Sequence, residues 1–226
     1  MSSAQPLQVW IDHVFDHPVS DPPWHEAVDP EAASTGTEEW PEPPETVVGY
    51  IAEAFERSGT LLSRFSDEQL DQGFWYLFYP DPRGFMETLL DERVPLASRR
   101  RAVRSFVPLF EQVMAERCSS HLSHLDEKGA KPLNGACYMW FDEMLDRFNP
   151  ERLIHAQLET DLVDTLHAIL AIPQDACRES ALHGIGHWVR EYPQLVDMVD
   201  QFLPHTPGLR PELIAYAESA RDGKVL

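Results

Sequence analysis

The stretch CRESALHGIGHW, residues 177–188, places His183 and His187 four residues apart in a segment with helical periodicity. Because residues at i and i+4 share one face of a helix, two imidazoles at this spacing bind a transition metal when a third ligand joins them. The sequence identifies no third ligand, and Gly184 stands where a zincin-type motif requires a glutamate. We therefore expect no metal ion and no cofactor, and we keep a metal-dependent enzyme that uses His183 and His187 as an alternative function.

The polar residues around this histidine pair indicate a binding surface. At about 100° per residue, the apolar residues of the segment gather on one broad helical face. The opposite side carries the residues of the predicted binding surface: Glu179, His183, His187 and Arg190. A buried histidine pair stays open as the alternative, because Gly184 and Gly186 each cost a helix about 1 kcal/mol relative to alanine. Such a cost is most easily explained if another helix crosses closely at these positions.

Other patterns that carry out chemistry in proteins are incomplete in this sequence. His121 and His124 lie near Cys118 at the end of a predicted helix, where a solvated helix terminus explains them better than a metal cluster. The sequence contains no GxSxG nucleophile motif and no phosphate-binding loop of the GxGxxG or Walker type. We therefore predict no catalytic and no cofactor-binding residues, and we expect that the protein is not an enzyme.

The charge balance of the chain restricts its partners. The 226 residues include 38 acidic and 18 basic side chains, which give a formal net charge of −20 at pH 7. Such a charge repels nucleic acids and anionic membrane surfaces, so we expect neither as a partner. It favours a basic protein partner, although an acidic surface also serves solubility alone.

A cluster of arginines stands out in this acidic chain. It consists of Arg99, Arg100, Arg101 and Arg104. We expect these side chains to neutralise nearby carboxylates, and a site for an anion or an acidic partner is the alternative.

Cysteine usage and hydropathy favour a cytoplasmic location. Cys118, Cys137 and Cys177 are odd in number and contain no CxxC pair, which argues against a disulfide framework and against a thiolate zinc site. No stretch approaches 18 consecutive apolar residues, so we expect no membrane span. The first residues lack a basic region followed by an apolar run, so we expect no signal peptide.

The periodicity of apolar residues predicts an all-α chain without strands. Helical periods cover residues 43–59, 66–79, 96–118, 135–148, 150–172, 193–203 and 211–220, and the histidine-bearing helix begins after Asp175. Ser66 and Gln69 form a capping-box pattern, and Pro108 predicts a kink or a break within its helix. Because the connections are short, neighbouring helices are expected to pack antiparallel.

The N-terminal region differs in composition from the rest of the chain. Residues 17–45 are rich in proline and turn formers, which excludes a long helix. Large aromatic residues are nevertheless frequent in this region: Trp10, Phe15, Trp24 and Trp40. We therefore predict an irregular acidic segment over residues 1–45 that packs on a helical domain of residues 46–226, with a disordered leader as the alternative.

Residues 158–188 resemble a HEAT repeat, in which two helices are joined by a short turn that contains an aspartate. The matching positions are Asp175 at the turn, Cys177-Arg178 for the Val-Arg pair, Ala181 for the alanine and Ile185-Gly186 for the Leu-Gly end. The resemblance implies a HEAT-like helical array (an α-α superhelix), in which Asp175 caps the second helix and pairs with Arg178. An irregular helical bundle is the alternative, because the match does not recur at a fixed period.

Metal-binding HEAT-like proteins provide a further comparison. The deoxyhypusine hydroxylase family binds metal through adjacent His-Glu pairs on its repeats. The one such pair in this sequence, His25-Glu26, lies outside the predicted helical region. The resemblance to that family therefore fails at its metal ligands.

These patterns favour a non-catalytic protein-binding scaffold or adaptor. Its acidic surface would mask a basic protein partner, in the manner of an immunity protein or antitoxin. Besides the metal-dependent enzyme, a second alternative is a small-molecule binding protein. Its aromatic pocket would lie between the helices predicted at 66–79 and 135–148, where the run GFWYLFY supplies the side chains.

Overall fold

All regular structure in the described part of this chain is helical. A computed structural model describes residues 6–26, 40–79, 85–145 and 153–225, and no β-strand occurs among them, which confirms the all-α prediction. The helices are α1 (Pro6–Phe15), α2 (Pro44–Glu56), α3 (Ser58–Leu61), α4 (Asp67–Leu77), α5 (Leu96–Arg104), α6 (Phe106–Leu109), α7 (Ala115–Arg117), α8 (Leu133–Leu145), α9 (Leu153–Leu170), α10 (Asp175–Trp188), α11 (Gln194–His205) and α12 (Pro211–Arg221). None of these helices is both long and apolar enough to cross a membrane.

The local signals for the start of α4 and the break after α5 are confirmed. The Ser66 hydroxyl accepts a hydrogen bond from the Gln69 backbone N–H at 3.2 Å, and the Gln69 side chain accepts one from the Ser66 N–H at 3.1 Å. The segment 96–118 divides around Pro108 into α5, α6, a π-helical turn at Phe110–Met114, and α7. Proline removes a backbone donor, which accounts for the irregular hydrogen bonding of the turns beside it.

The cap of α10 differs from the HEAT-like expectation. The side chain of Gln174, not of Asp175, accepts a hydrogen bond from the Cys177 N–H at 3.1 Å. Gln174 has an extended backbone (φ −141°, ψ 127°) and therefore occupies the N-cap position, whereas Asp175 already lies in the first helical turn. The predicted pairing of Asp175 with Arg178 is present at 3.6 Å.

The predicted irregular backbone is wrong for residues 6–15, which form α1. The helix buries one apolar stripe against α2 and α4, composed of Trp10, Ile11, Val14 and Phe15. This spacing at i, i+1, i+4 and i+5 is helical, and it outweighs the proline-rich composition that follows. Beyond α1, Trp24 stacks on His17 with ring centroids 3.6 Å apart and lies 4.5 Å from the ring of Tyr76. Residues 27–39 lie outside the described ranges, and the boundary at residue 45 stays a prediction.

The interior is organised around the fully buried ring of Trp140 on α8. Phenylalanine rings surround it at centroid distances of 5.1 to 5.9 Å, contributed by Phe55, Phe74, Phe78, Phe106 and Phe110. All but one of these pairs are close to perpendicular, from 81° to 87°, which directs the positive edge of one ring at the negative face of the other. The cluster joins α2, α4, α6 and the π-helical turn to α8.

Three of the four arginines in the cluster neutralise carboxylates, as expected, whereas the buried Arg99 donates to the backbone carbonyl of Val94 at 3.0 Å. Arg100 and Arg104 on α5 both contact the buried carboxylate of Asp161 on α9, each at 2.5 Å. Arg101 pairs with Glu56 on α2 at 2.6 Å. Because an unpaired buried carboxylate costs several kcal/mol, the two arginines are required to hold α9 against α5.

Helix α10 packs between α8, α9 and α12, and its glycines permit the closest approach. A Cβ atom added at Gly184 would lie 2.6 Å from Cβ of Phe141 on α8 and 3.1 Å from a methyl carbon of Leu166 on α9. A Cβ at Gly186 would lie 2.5 Å from a methyl carbon of Val225. The close helix crossing that the glycines suggested is therefore present at Gly184, whereas at Gly186 the close neighbour is Val225, which follows the last helix.

We predict that Gly184→Ala destabilises the protein by about 1 to 3 kcal/mol, because the added methyl group forces α10 away from α8. The matched control is Gly49→Ala in α2, where a Cβ atom meets nothing within 4 Å. There the substitution is expected to stabilise the helix by up to about 1 kcal/mol. Urea unfolding of both variants measures the difference, and equal stabilities would contradict the close crossing.

Candidate metal centre

A stripe of polar side chains runs along α10 at intervals of four residues: Glu179, His183 and His187. The prediction that these residues and Arg190 form a surface is wrong for the first two, since Glu179 is 0 % exposed and His183 is 1 % exposed. His187 and Arg190 are exposed. A helical wheel assigns one face to the core and the other to water, but α10 is covered on both sides. The inner part of the polar stripe, Glu179 and His183, is therefore covered by neighbouring parts of the chain, and only its outer end at His187 reaches solvent.

The first residue of the stripe, Glu179, anchors a loop. Its carboxylate accepts hydrogen bonds from the backbone N–H groups of Ser123 and His124, both at 2.9 Å. It also bonds Nδ1 of His124 at 2.6 Å. Burial raises the pKa of Glu179, and these hydrogen bonds act in the opposite direction. The buried carboxylate is therefore satisfied by three donors.

The expectation of a solvated helix terminus at His121 and His124 is wrong for His124. The preceding helix, α7, ends at Arg117, and His124 lies beyond it in a short 3-10 turn. Its ring stacks on Tyr216 of α12 with centroids 4.0 Å apart and planes 18° apart. His121 bonds Ser119 Oγ at 2.9 Å, so the two histidines have separate partners.

The second residue of the stripe, His183, is held by two tyrosines. Its Nδ1 lies 2.7 Å from the hydroxyl of Tyr216, which in turn lies 3.1 Å from the hydroxyl of Tyr138 on α8. The Tyr138 ring packs on the imidazole with centroids 4.2 Å apart. These contacts fix the orientation of the imidazole and aim its Nε2 atom toward His187.

Three possible ligand atoms converge at the outer end of the stripe. Nε2 of His187 lies 3.3 Å from Nε2 of His183 and 3.1 Å from Oδ1 of Asp142 on α8. All three atoms lie within 4.8 Å of one another. In a tetrahedral zinc site with bonds of about 2.0–2.1 Å, neighbouring ligand atoms are about 3.3 Å apart. The two measured separations match this geometry.

Burial keeps the central imidazole available as a ligand. It lowers the pKa of His183 to about 3, with smaller contributions from His187 and His124. His183 is therefore neutral at pH 7, and a metal ion does not have to displace a proton from it. The hydroxyl at its Nδ1 is the kind of outer partner that orients metal-bound histidines.

The third group, Asp142, was missed because nothing in the sequence connects it to the histidine pair. It lies on a different helix and reaches the pair only because α8 crosses α10 closely at Gly184. The expectation that no metal binds depended on the missing third ligand, and Asp142 removes that reason. The three cysteines contribute nothing to this site, since Cys118, Cys137 and Cys177 are buried and free elsewhere in the core.

We predict that His183 makes the metal-free protein sensitive to acid. Below pH 6.5 the unfolded chain binds a proton at this position, whereas the folded chain binds it only near pH 3. Stability should therefore fall on acidification through this window, by up to about 1.4 kcal/mol per pH unit from this group. Urea unfolding at pH 7, 6, 5 and 4 in the presence of a chelator measures the slope.

The variant His183→Gln should show a shallower slope by about one proton, whatever its stability at pH 7. The control His205→Gln changes an exposed histidine on α11 and should keep the slope of the unmodified protein. An unchanged slope in His183→Gln would contradict the assigned burial of this imidazole.

No protein-family model matches the chain, and neither a curated protein nor a solved structure is significantly similar to it. Since nothing identifies a HEAT-like repeat in residues 158–188, that resemblance stays a prediction from the sequence.

Proposed function

We propose that this protein is a metal-dependent enzyme that binds a divalent transition metal, with zinc preferred, through Asp142, His183 and His187. The observation that carries the proposal is the convergence of two imidazole nitrogens and one carboxylate oxygen within 4.8 Å of one another, with the two separations from His187 at the values of a tetrahedral ion. Imidazole suits zinc, copper, iron and nickel, and two histidines with one carboxylate are a known ligand set of catalytic zinc sites. The proposal replaces the non-catalytic scaffold as the leading function.

A catalytic centre fits this site better than a structural one. Structural zinc sites usually close with four protein ligands, whereas catalytic sites have three and keep one position open. Three ligand groups converge here, and the outer two are partly accessible, with side-chain exposures of 22 % for Asp142 and 34 % for His187. When bound, a zinc ion at such a site lowers the pKa of a coordinated water to about 7 and acts as a Lewis acid, which suits hydrolysis.

The surrounding residues have positioning roles in this proposal. With Nε2 directed at the metal position, the proton of His183 resides on Nδ1 and is donated to the Tyr216 hydroxyl. Tyr216 then donates to Tyr138, which ties the imidazole to α8 as well as to α12. Glu179 holds the loop at His124, whose ring stacks on Tyr216.

Three further expectations from the sequence stay predictions: the superhelix, the location and the protein partner. A HEAT-like superhelix and a cytoplasmic location rest on the sequence patterns alone and stay predictions. The same holds for a basic protein partner, which the net charge of −20 favours.

We predict that the protein, purified without a histidine tag and stripped with a chelator, binds one zinc ion per chain in a calorimetric titration. Asp142→Asn and His187→Gln should each weaken binding by at least about tenfold, since each removes one of three ligands. Both side chains are partly exposed, so the variants should fold, which circular dichroism checks.

The control His205→Gln removes an exposed histidine outside the site and should bind zinc like the unmodified protein. Binding of well under one equivalent, or equal affinities across the three variants, would refute the proposed centre. Hydrolysis of p-nitrophenyl esters by the zinc-loaded protein, lost in Asp142→Asn, tests the catalytic part of the proposal.

A further inference from the structure

A cleft lies between α8 and α4. Its volume is about 490 Å³, which is within the range of small-molecule sites. Trp75 and Tyr79 line it from α4 and the residues after it, and Glu143 lines it from α8. Residues 23–26 of the N-terminal segment close one side. The cleft lies between the two helices where the sequence placed the alternative aromatic pocket.

The lining of this cleft is strongly acidic. It contains three carboxylates, Glu26, Asp71 and Glu143, and no lysine or arginine. Oδ1 of Asp71 is buried, and no hydrogen bond to it is formed by any residue that the structure describes. Burial raises the pKa of Asp71 to about 6, against hydrogen bonds that involve Trp75 and Ala136. A buried carboxylate oxygen without a hydrogen-bond donor destabilises the folded protein, and the N–H groups of a bound ammonium ion would supply that donor.

A second unsatisfied group points to a ligand independently of the carboxylates. His25 is only 5 % exposed, and neither of its ring nitrogens makes a hydrogen bond of normal geometry within the described ranges of the chain. Burial lowers the pKa of His25 and so favours the neutral ring, whereas Glu26 and a backbone contact with Gln72, longer or less well aligned than a normal hydrogen bond, act in the opposite direction. A neutral imidazole offers one donor and one acceptor, and its acceptor can receive an N–H group of a ligand.

Two aromatic side chains form walls of the cleft. The indole of Trp75 and the phenol ring of Tyr79 flank the same space as the carboxylates. Faces of aromatic rings attract cations that are removed from water, and a nearby carboxylate adds charge complementarity. Apolar walls also accept the hydrocarbon part of an amine.

We propose that this cleft binds an organic ammonium ion, with its N–H groups bonded to Asp71 and His25 and its hydrocarbon part between Trp75 and Tyr79. Two sources offer this chemistry: a free amine and the side chain of a lysine in a basic protein. The proposal does not depend on the metal centre, because none of its residues is a proposed metal ligand.

The test is a calorimetric titration in phosphate buffer, which contains no competing amine. The probes are 2-phenylethylammonium and 1,5-diaminopentane, with the neutral analogues 2-phenylethanol and 1,5-pentanediol, and the peptide acetyl-Gly-Gly-Lys-Gly-Gly, whose lysine side chain is its one ammonium group. We expect at least one ammonium compound to bind about tenfold or more tightly than its neutral analogue. Tighter binding of the peptide than of both free amines would support the proposal and assign the source as a lysine side chain.

Variants separate the cleft from general charge attraction. Asp71→Asn keeps the shape of the side chain and should weaken binding of the ammonium compound at least tenfold. The matched control Asp197→Asn makes the same charge change at an exposed position on α11 and should leave binding unchanged. The proposal would be overturned if ammonium and neutral compounds bound equally tightly, or if both variants lost the same affinity. It would also be overturned if no ammonium probe bound at a 10-fold molar excess over a 1 mM protein sample.

Discussion

The close crossing of α10 and α8 at Gly184 is the constraint on which the rest of this structure depends. Because a Cβ at this position would lie 2.6 Å from Phe141, only glycine permits the two helix backbones to approach as they do. The approach removes water from Glu179 and His183 in the polar stripe of α10, so every donor and acceptor of these two side chains needs a protein partner. The partners come from three separate parts of the chain: α8, α12 and the turn at His124.

The inner part of the stripe is satisfied within the protein, since Glu179 and Nδ1 of His183 both have hydrogen-bond partners. At the outer end, Nε2 of His187 contacts both Nε2 of His183 and Oδ1 of Asp142. A divalent cation at this position would be bound by all three side chains at once, which is the physical reason to assign a metal to it.

Much of the local structure could be predicted from the sequence, because it depends on neighbouring residues. The capping box at Ser66, the break near Pro108 and the helical periods fall into this class. The burial of His183 could not be predicted by periodicity, since α10 is covered on its polar side as well as on its apolar side. Asp142 and Tyr216 approach the stripe from distant parts of the sequence, and no spacing rule connects them to it. The glycines within α10 gave the one local sign of this burial. A glycine destabilises a helix relative to alanine, so two of them in one helix indicate that a neighbouring part of the chain packs closely there.

The two proposed sites occupy neighbouring residues of one helix, since Asp142 faces α10 and Glu143 faces the acidic cleft. The central claim is nevertheless the metal centre, and anomalous diffraction at the zinc edge from crystals grown with one equivalent of zinc tests it most directly. The account predicts a single strong peak about 2.0–2.1 Å from Nε2 of His183, Nε2 of His187 and Oδ1 of Asp142. A peak elsewhere on the chain with none at these three atoms would contradict it.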